Sequence, residues 1–314
     1  MKSTNEYHEQ FQSPGLASWG NMAGHLPAYA QIAFKNILFA TDFSSTAESA
    51  LPYAVEIARR SGATIHAVHV VRPDIYPLVP PSEWPKIAQE EKDFREAKKN
   101  QLERELQGLP HEFLMPEGDV FQNLANIIED KSIDLLVLGT HRRTRMEKVL
   151  LGSVAEKIFR QATCAVLTVG PAVPSKASRA GATELNRILY ATDFSPESLA
   201  AAPYAIYFAK EYQAELILMH SIQNAEPDQV DSAYDTLRDV VPAAADLEFK
   251  PRCIVERGAP ENMILRVAAW HDADLIILGA RSGQEHPMAI THFFNSIAYK
   301  VVTEAACPVL TVRG

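Results

Sequence analysis

The residues best suited to chemistry lie between Leu135 and Phe159, in "LLVLGTHRRTRMEKVLLGSVAEKIF". An apolar run from Leu135 to Leu138 reads as a strand buried on both faces. Gly139 ends it, and a basic loop follows that carries His141, Arg142, Arg143, Arg145 and Lys148. The loop closes on Gly152-Ser153, after which Val154, Ile158 and Phe159 recur at helical spacing. A strand that delivers a loop onto a helix N-terminus presents unpaired amides and the positive end of the helix dipole, which together favour an anion. Ser153 adds a hydroxyl. The pattern points to a loop that holds the phosphates of a nucleotide.

Such a loop needs a scaffold, and the chain encodes that scaffold twice, at a period of roughly 150 residues that indicates a duplicated domain. "ILFATDFSSTAESALPYAVEIA" from Ile37 matches "ILYATDFSPESLAAAPYAIYFA" from Ile188, so Asp42 corresponds to Asp193 and His69 to His220. "IDLLVLGT" from Ile133 matches "ADLIILGA" from Ala273, and "CAVLTV" from Cys164 matches "CPVLTV" from Cys307. The first repeat reads as strand 36–41, helix 45–60, strand 64–71, helix 86–107, strand 112–116, helix 120–131, strand 133–139, helix 152–161 and strand 165–169. Alternating strands and helices predict an α/β fold, with a mainly parallel sheet of five strands in each repeat covered by helices on both faces. In such sheets ligands sit beyond the strand carboxyl ends where the strand order reverses. If the first and fourth strands are neighbours, the loops at Thr41-Asp42 and Gly139 converge on one crevice. The predicted organisation is a flexible N-terminal arm over 1–33, a first domain over 34–170, a Pro-, Gly- and Ser-bearing linker over 171–185 and a second domain over 186–314.

Composition excludes several classes. A net charge of −9 argues against broad nucleic-acid or anionic-membrane binding. Three cysteines without a CxxC pair indicate neither a disulfide framework nor a zinc site, and Cys164 and Cys307 read as small buried thiols. No apolar run approaches the ~20 residues of a membrane helix, and no signal-peptide core opens the chain, so a cytoplasmic protein is expected. There is no GxxxxGK[ST], no glycine fingerprint after the first strand, and no HExxH, nucleophile elbow or kinase set.

Each candidate residue also has a plainer reading. Asp42 could bond ribose hydroxyls or help hold a metal, or it could cap the following helix, since "TDFS" places Asp and Ser at a strand-to-helix turn. Arg142, Arg143 and Arg145 could clamp phosphates or form a solvated loop. His141 has no carboxylate at triad spacing to mark it as a base. His69 and His220 recur in both repeats, which favours packing or backbone bonding over catalysis.

These residues resemble the universal stress protein family over both repeats. Nucleotide-binding members carry G-x2-G-x9-G-[S/T] after the fourth strand; Gly139, Gly152 and Ser153 match, while Arg142 stands at the middle glycine. The resemblance implies the adenine nucleotide alpha hydrolase-like, Rossmann-like fold. It implies that the segment Ala40-Thr41-Asp42 and the backbone of Val70 contact adenosine. By the same resemblance Gly139, His141, Arg142, Gly152, Ser153 and Val154 hold the phosphates of ATP, or of ADP, AMP or cAMP, with Mg2+ as a companion. Replacing a positive-φ glycine by arginine costs about 1–2 kcal/mol, whereas a guanidinium–phosphate bond returns about 1.5–3 kcal/mol. The two nearly cancel.

In the second repeat Gly279 is kept, but Ser282 replaces the middle glycine and Asn295 stands for Gly152, with Ser296 retained. Phe293 and Phe294 could fill the phosphate cavity, so a degenerate second site is expected. The expected function is nucleotide binding in the first repeat as a stress-response sensor or regulator, with at most slow hydrolysis; the rival is a nucleotide-free scaffold. The apolar terminal strands are expected, by resemblance to family dimers, to pair the two repeats within one chain, which would also cover exposed edges; a homodimer is a further possibility.

Overall fold

The computed structural model describes residues 32–71, 80–140, 153–173, 184–223, 227–280 and 296–313. The first half runs β1 (Asn36–Ala40), α1 (Ser45–Ser61), β2 (Thr64–Val68), α2 (Trp84–Glu105), β3 (His111–Leu114), α3 (Val120–Asp130), β4 (Leu135–Gly139), α4 (Ser153–Gln161) and β5 (Ala165–Val169). The second runs β6 (Arg187–Ala191), α5 (Pro196–Leu199), α6 (Ala202–Tyr212), β7 (Glu215–Ile222), α7 (Pro227–Val240), β8 (Arg252–Arg257), α8 (Pro260–Trp270), β9 (Leu275–Ala280), α9 (Ile297–Glu304) and β10 (Val309–Arg313). The expected elements of the first half are present. β2 stops at Val68, short of its expected end, and Val71 keeps only an isolated bridge to Glu117.

All of these strands join one ten-stranded sheet in the order β3-β2-β1-β4-β5-β10-β9-β6-β7-β8. Neighbours within each half are parallel. Strands bordered by helices on both faces must be apolar throughout, and Ile37, Leu38, Phe39, Leu135, Leu136 and Val137 are all essentially inaccessible. The halves meet where β5 and β10 pair antiparallel, with Leu167 opposite Leu310. These are equivalent leucines of the two repeats, so the local pseudo-two-fold axis passes between them and the contact is isologous. This is the intramolecular pairing expected from the apolar terminal strands. On the α1 side, one hydrophobic core runs unbroken from the first half into the second. There Phe34 meets Tyr207 edge-on at 5.1 Å. Arg60 donates to the Glu211 carbonyl at 2.6 Å and lies 4.1 Å over the Tyr212 ring.

Local chemistry sets where α1 begins and ends. Ser44 is its N-cap, accepting from the Ala47 amide at 3.2 Å, and Gly62 closes it at φ 71°. Its buried residues Ala47, Ala50, Leu51, Ala54, Ile57 and Ala58 recur at three- and four-residue steps, which puts one apolar stripe on the sheet.

Two aspartates lock the register of the strands that matter most. Asp134, just before β4, accepts from the amides of Lys35 (2.7 Å) and Asn36 (2.9 Å) at the start of β1. Asp274 does the same for Asn186 (2.9 Å) and Arg187 (3.1 Å) before β6. At the edge of the first half, buried His66 bridges Glu112 at 2.5 Å and Asn36 at 3.2 Å. Lys131 reaches Glu112 at 2.7 Å, and Lys131 first, then His66, holds that carboxyl below its ordinary range.

Candidate functional site

Strand order reverses between β1 and β4, which are hydrogen-bonded neighbours with Ala40 opposite Leu138. The carboxyl ends of these two strands therefore open on the same crevice, as such sheets require of a ligand site. Ala40, Thr41, Asp42, Val70 and Gly139 are brought together at this end of the sheet. Ala40, Val70 and Gly139 are half-buried, Thr41 is buried and Asp42 is exposed on the rim. Ser153 and Val154 open α4. His141, Arg142 and Gly152, with the rest of 141–152, lie outside the described residues. In the second half Ser282, Phe293, Phe294 and Asn295 do so too.

The turn after β1 is built by its own side chains. The Thr41 hydroxyl accepts from the Phe43 amide at 2.9 Å, and the Asp42 carboxylate accepts from the Ser44 amide at 3.0 Å. Asp42 shapes the turn and Ser44 caps the helix, so the capping role weighed for Asp42 falls to its neighbour. Phe43 takes φ 60°, a left-handed conformation that costs a residue with a Cβ about 1–2 kcal/mol. Its ring stacks on His69 at 4.4 Å, which offsets part of that cost. The His69 ring N–H donates to the Thr41 carbonyl at 3.0 Å and so pins the end of β2 to the turn.

The second half repeats this design. Phe194 sits at φ 63° and stacks on His220 at 4.5 Å. His220 donates to the Thr192 carbonyl at 2.8 Å, and Asp193 accepts from Ser195 through both its amide (3.0 Å) and its hydroxyl (2.6 Å). The packing and backbone-bonding roles expected for the paired histidines are both observed. The second half adds a buried network, with Tyr190 donating to the Ser198 carbonyl at 2.7 Å and Thr192 sharing a bond with Ser198 at 2.9 Å. Phe39 and Ala47 stand at the Tyr190 and Ser198 positions in the first half.

Burial is the main cause that lowers the pKa of both histidines from 6.5; for His69 the Arg95 charge adds to it, and the bonds to Thr41 and Thr192 oppose it. Each is therefore neutral in the fold, while the unfolded chain binds a proton near pH 6.5. Stability from this source is complete above about pH 6.5 and is lost as pH falls through that value toward the lowered native ones. Urea midpoints measured at pH 7 and pH 5 should drop on acidification, and the drop should shrink in a His69→Gln, His220→Gln double variant. An unchanged drop would assign the effect to other groups.

Gly139 owes its place to packing. A Cβ there would stand 2.2 Å from the Thr46 carbonyl oxygen and 2.8 Å from the Ala47 amide, because the first turn of α1 lies directly on the end of β4. Gly279 meets the same obstacle in the second half, 2.3 Å from the Glu197 oxygen. Sequence reasoning missed this role, and it missed Asp134 and Asp274; the recurrence of "DL" before both apolar strands was the available signal for the aspartates. Of the cysteines, Cys307 is buried, and burial pushes the Cys164 thiol up to about 12, which leaves it unreactive near neutrality. Among the described residues no helix is long and apolar enough to cross a membrane.

A family model described as the universal stress protein family matches residues 33–170 and 184–313. A universal stress protein of Methanocaldococcus jannaschii is 35% identical over 141 residues, spanning 43% of this chain and 82% of that protein. A second from the same organism is 28% identical over 157 residues, spanning 44% and 96%. Among solved structures, a universal stress protein from Archaeoglobus fulgidus superposes with a TM-score of 0.70 at 21% identity, covering 88% of this chain and 98% of that one. At that identity the likeness is one of fold.

Proposed function

Because this chain belongs to the universal stress protein family, which its two halves match in turn, we propose that its first half binds ATP or a related adenine nucleotide. It does so as a stress-response sensor or regulator, with at most slow hydrolysis. The observation that supports this reading is the adjacency of β1 and β4, which brings the carboxyl ends of both strands to one crevice. The described part of the crevice suits a nucleoside, with small half-buried walls at Ala40 and Val70 and a carboxylate, Asp42, on the rim. Asp42 would take the ribose hydroxyls. The amides of Ser153 and Val154 at the head of α4, with Gly152, His141 and Arg142, would take the phosphates. A magnesium ion carried with the triphosphate would be held largely by phosphate oxygens and water.

Calorimetric titration with ATP tests it directly. Saturable binding is expected, and Asp42→Ala should weaken it about tenfold or more, the worth of one charge-assisted hydrogen bond. Absence of heat at millimolar ATP, together with no nucleotide released from the denatured purified protein, would overturn the proposal.

That outcome would favour a second reading, a nucleotide-free scaffold. One observation speaks for it: the Asp42 turn, the His69 bond and the Gly139 contact all recur at Asp193, His220 and Gly279. Each of these residues thus has a reason to persist that involves no ligand.

A further inference from the structure

The second half holds a cavity that the repeat pattern does not anticipate. It lies beside the carboxyl end of β8, the outermost strand of that half, under the first turns of α7. Its volume is about 250 Å³, and its lining includes Val230 and Asp231 from α7 and Val255 and Arg257 from β8. Val255 and Arg257 are two apart on the strand and so face the same way. Among the described residues the lining therefore offers aliphatic walls, one carboxylate and one guanidinium.

Three ion pairs of this region are closed, while Asp228 and Asp239 of α7 make no such pair among the described residues. Arg252 pairs with Glu215 at 2.8 Å, Glu256 with Arg266 at 2.8 Å, and Asp235 with Arg238 at 2.8 Å. Among the described residues, Asp231 and Arg257 have no such partner, and they line the same hollow. The first half differs at these places. Gly118 donates to Val71 as Gly258 donates to Ile222, which aligns Glu117 with Arg257 and Met115 with Val255. The sign of the charge is reversed, so the cavity's chemistry belongs to the second half alone.

We infer that the cavity bounded by Val230, Asp231, Val255 and Arg257 binds a small aliphatic amino acid as its zwitterion. Arg257 takes the carboxylate, Asp231 the ammonium group, and the two valines the side chain. At ~30 Å³ of liquid volume per water, the space holds about eight waters, close to the bulk of leucine. A site this small and partly open binds in the millimolar range. The inference is independent of nucleotide binding in the first half.

The test is a titration of the ¹⁵N-labelled full chain with L-leucine to about 20 mM, followed by amide shifts in α7 and β8. Saturable shifts are expected there. Affinity should fall about tenfold or more in R257Q and in D231N, and equally for 4-methylpentanoate, which lacks the ammonium, and isopentylamine, which lacks the carboxylate. Both substituted side chains lie on the surface, and an otherwise unchanged amide spectrum verifies that each variant is folded. Shifts that fail to saturate, affinity unchanged in either variant, or a half-ligand that binds as well as leucine would each overturn the inference.

Discussion

Gly139→Ala should lower the unfolding free energy by about 3 kcal/mol or more, at the upper end of what overpacking a filled core costs. The new methyl would lie 2.2 Å from the Thr46 oxygen and 2.6 Å from the Thr46 carbon, both backbone atoms of the first turn of α1. A flexible side chain could swing aside; a helix turn capped by Ser44 and buried along Ala47, Ala50 and Leu51 cannot move without dragging its apolar stripe off the sheet. Gly279→Ala should behave alike, since its methyl would meet the Glu197 oxygen at 2.3 Å and the Ser198 Cα at 2.4 Å. Urea unfolding of the two variants checks this, and thermal unfolding should show a melting temperature lowered by about 2–4 °C for each kcal/mol lost. Parental stability in Gly139→Ala would mean that α1 can slide outward freely, and the glycine would then need a ligand to explain it. The distinction matters for function, because loss of nucleotide binding in this variant would follow from displacement of the turn that carries Asp42 as readily as from a lost phosphate contact.

Leu310→Asp should do greater damage, of a different kind. Leu310 is fully buried at the centre of the ten-stranded sheet, opposite Leu167, on the only antiparallel pairing among the described strands. Leu310→Ala alone should cost about 2–5 kcal/mol through the cavity it leaves. An unpaired carboxylate there adds desolvation that nothing nearby offsets, for a total beyond about 5 kcal/mol. Opening the seam would bare β5 as an apolar edge, and a bare edge pairs with whatever strand fits. Because β5 and β10 meet as equivalent residues across a pseudo-two-fold axis, the fitting strand is β5 of a second chain. The variant should sediment as a dimer and be cut by protease between 171 and 186. Monomeric behaviour with parental resistance to cleavage would show that the Phe34, Tyr207 and Arg60 contacts hold the halves together without the strand pairing.

The two kinds of evidence divide along physical lines. Apolar runs, helical spacing and the duplicated "ATDF", "DL" and "VLTV" segments are local signals, and they sufficed for the strand–helix order, the tandem halves and the apolar terminal strands that join them. Repetition of His69 as His220 favoured packing or backbone bonding over catalysis for both, and each in fact stacks on a phenylalanine and bonds a backbone carbonyl. The reasons for Gly139, Asp134 and the His66–Glu112–Asn36 contact were hidden, since each joins residues far apart in the chain. Asp134 meets Lys35 across 99 positions, and Gly139 is confined by a helix turn more than ninety residues earlier. Sequence alone therefore determined which segments are strands and which are helices, that the unit occurs twice, and which loops are the candidates for chemistry. Only the tertiary structure decided that β1 and β4 lie side by side, so that their carboxyl ends share one crevice, and that Gly139 answers to a neighbouring backbone. The reason is that side-chain periodicity records only which faces of an element are buried; the distance between two elements is set by everything packed around them.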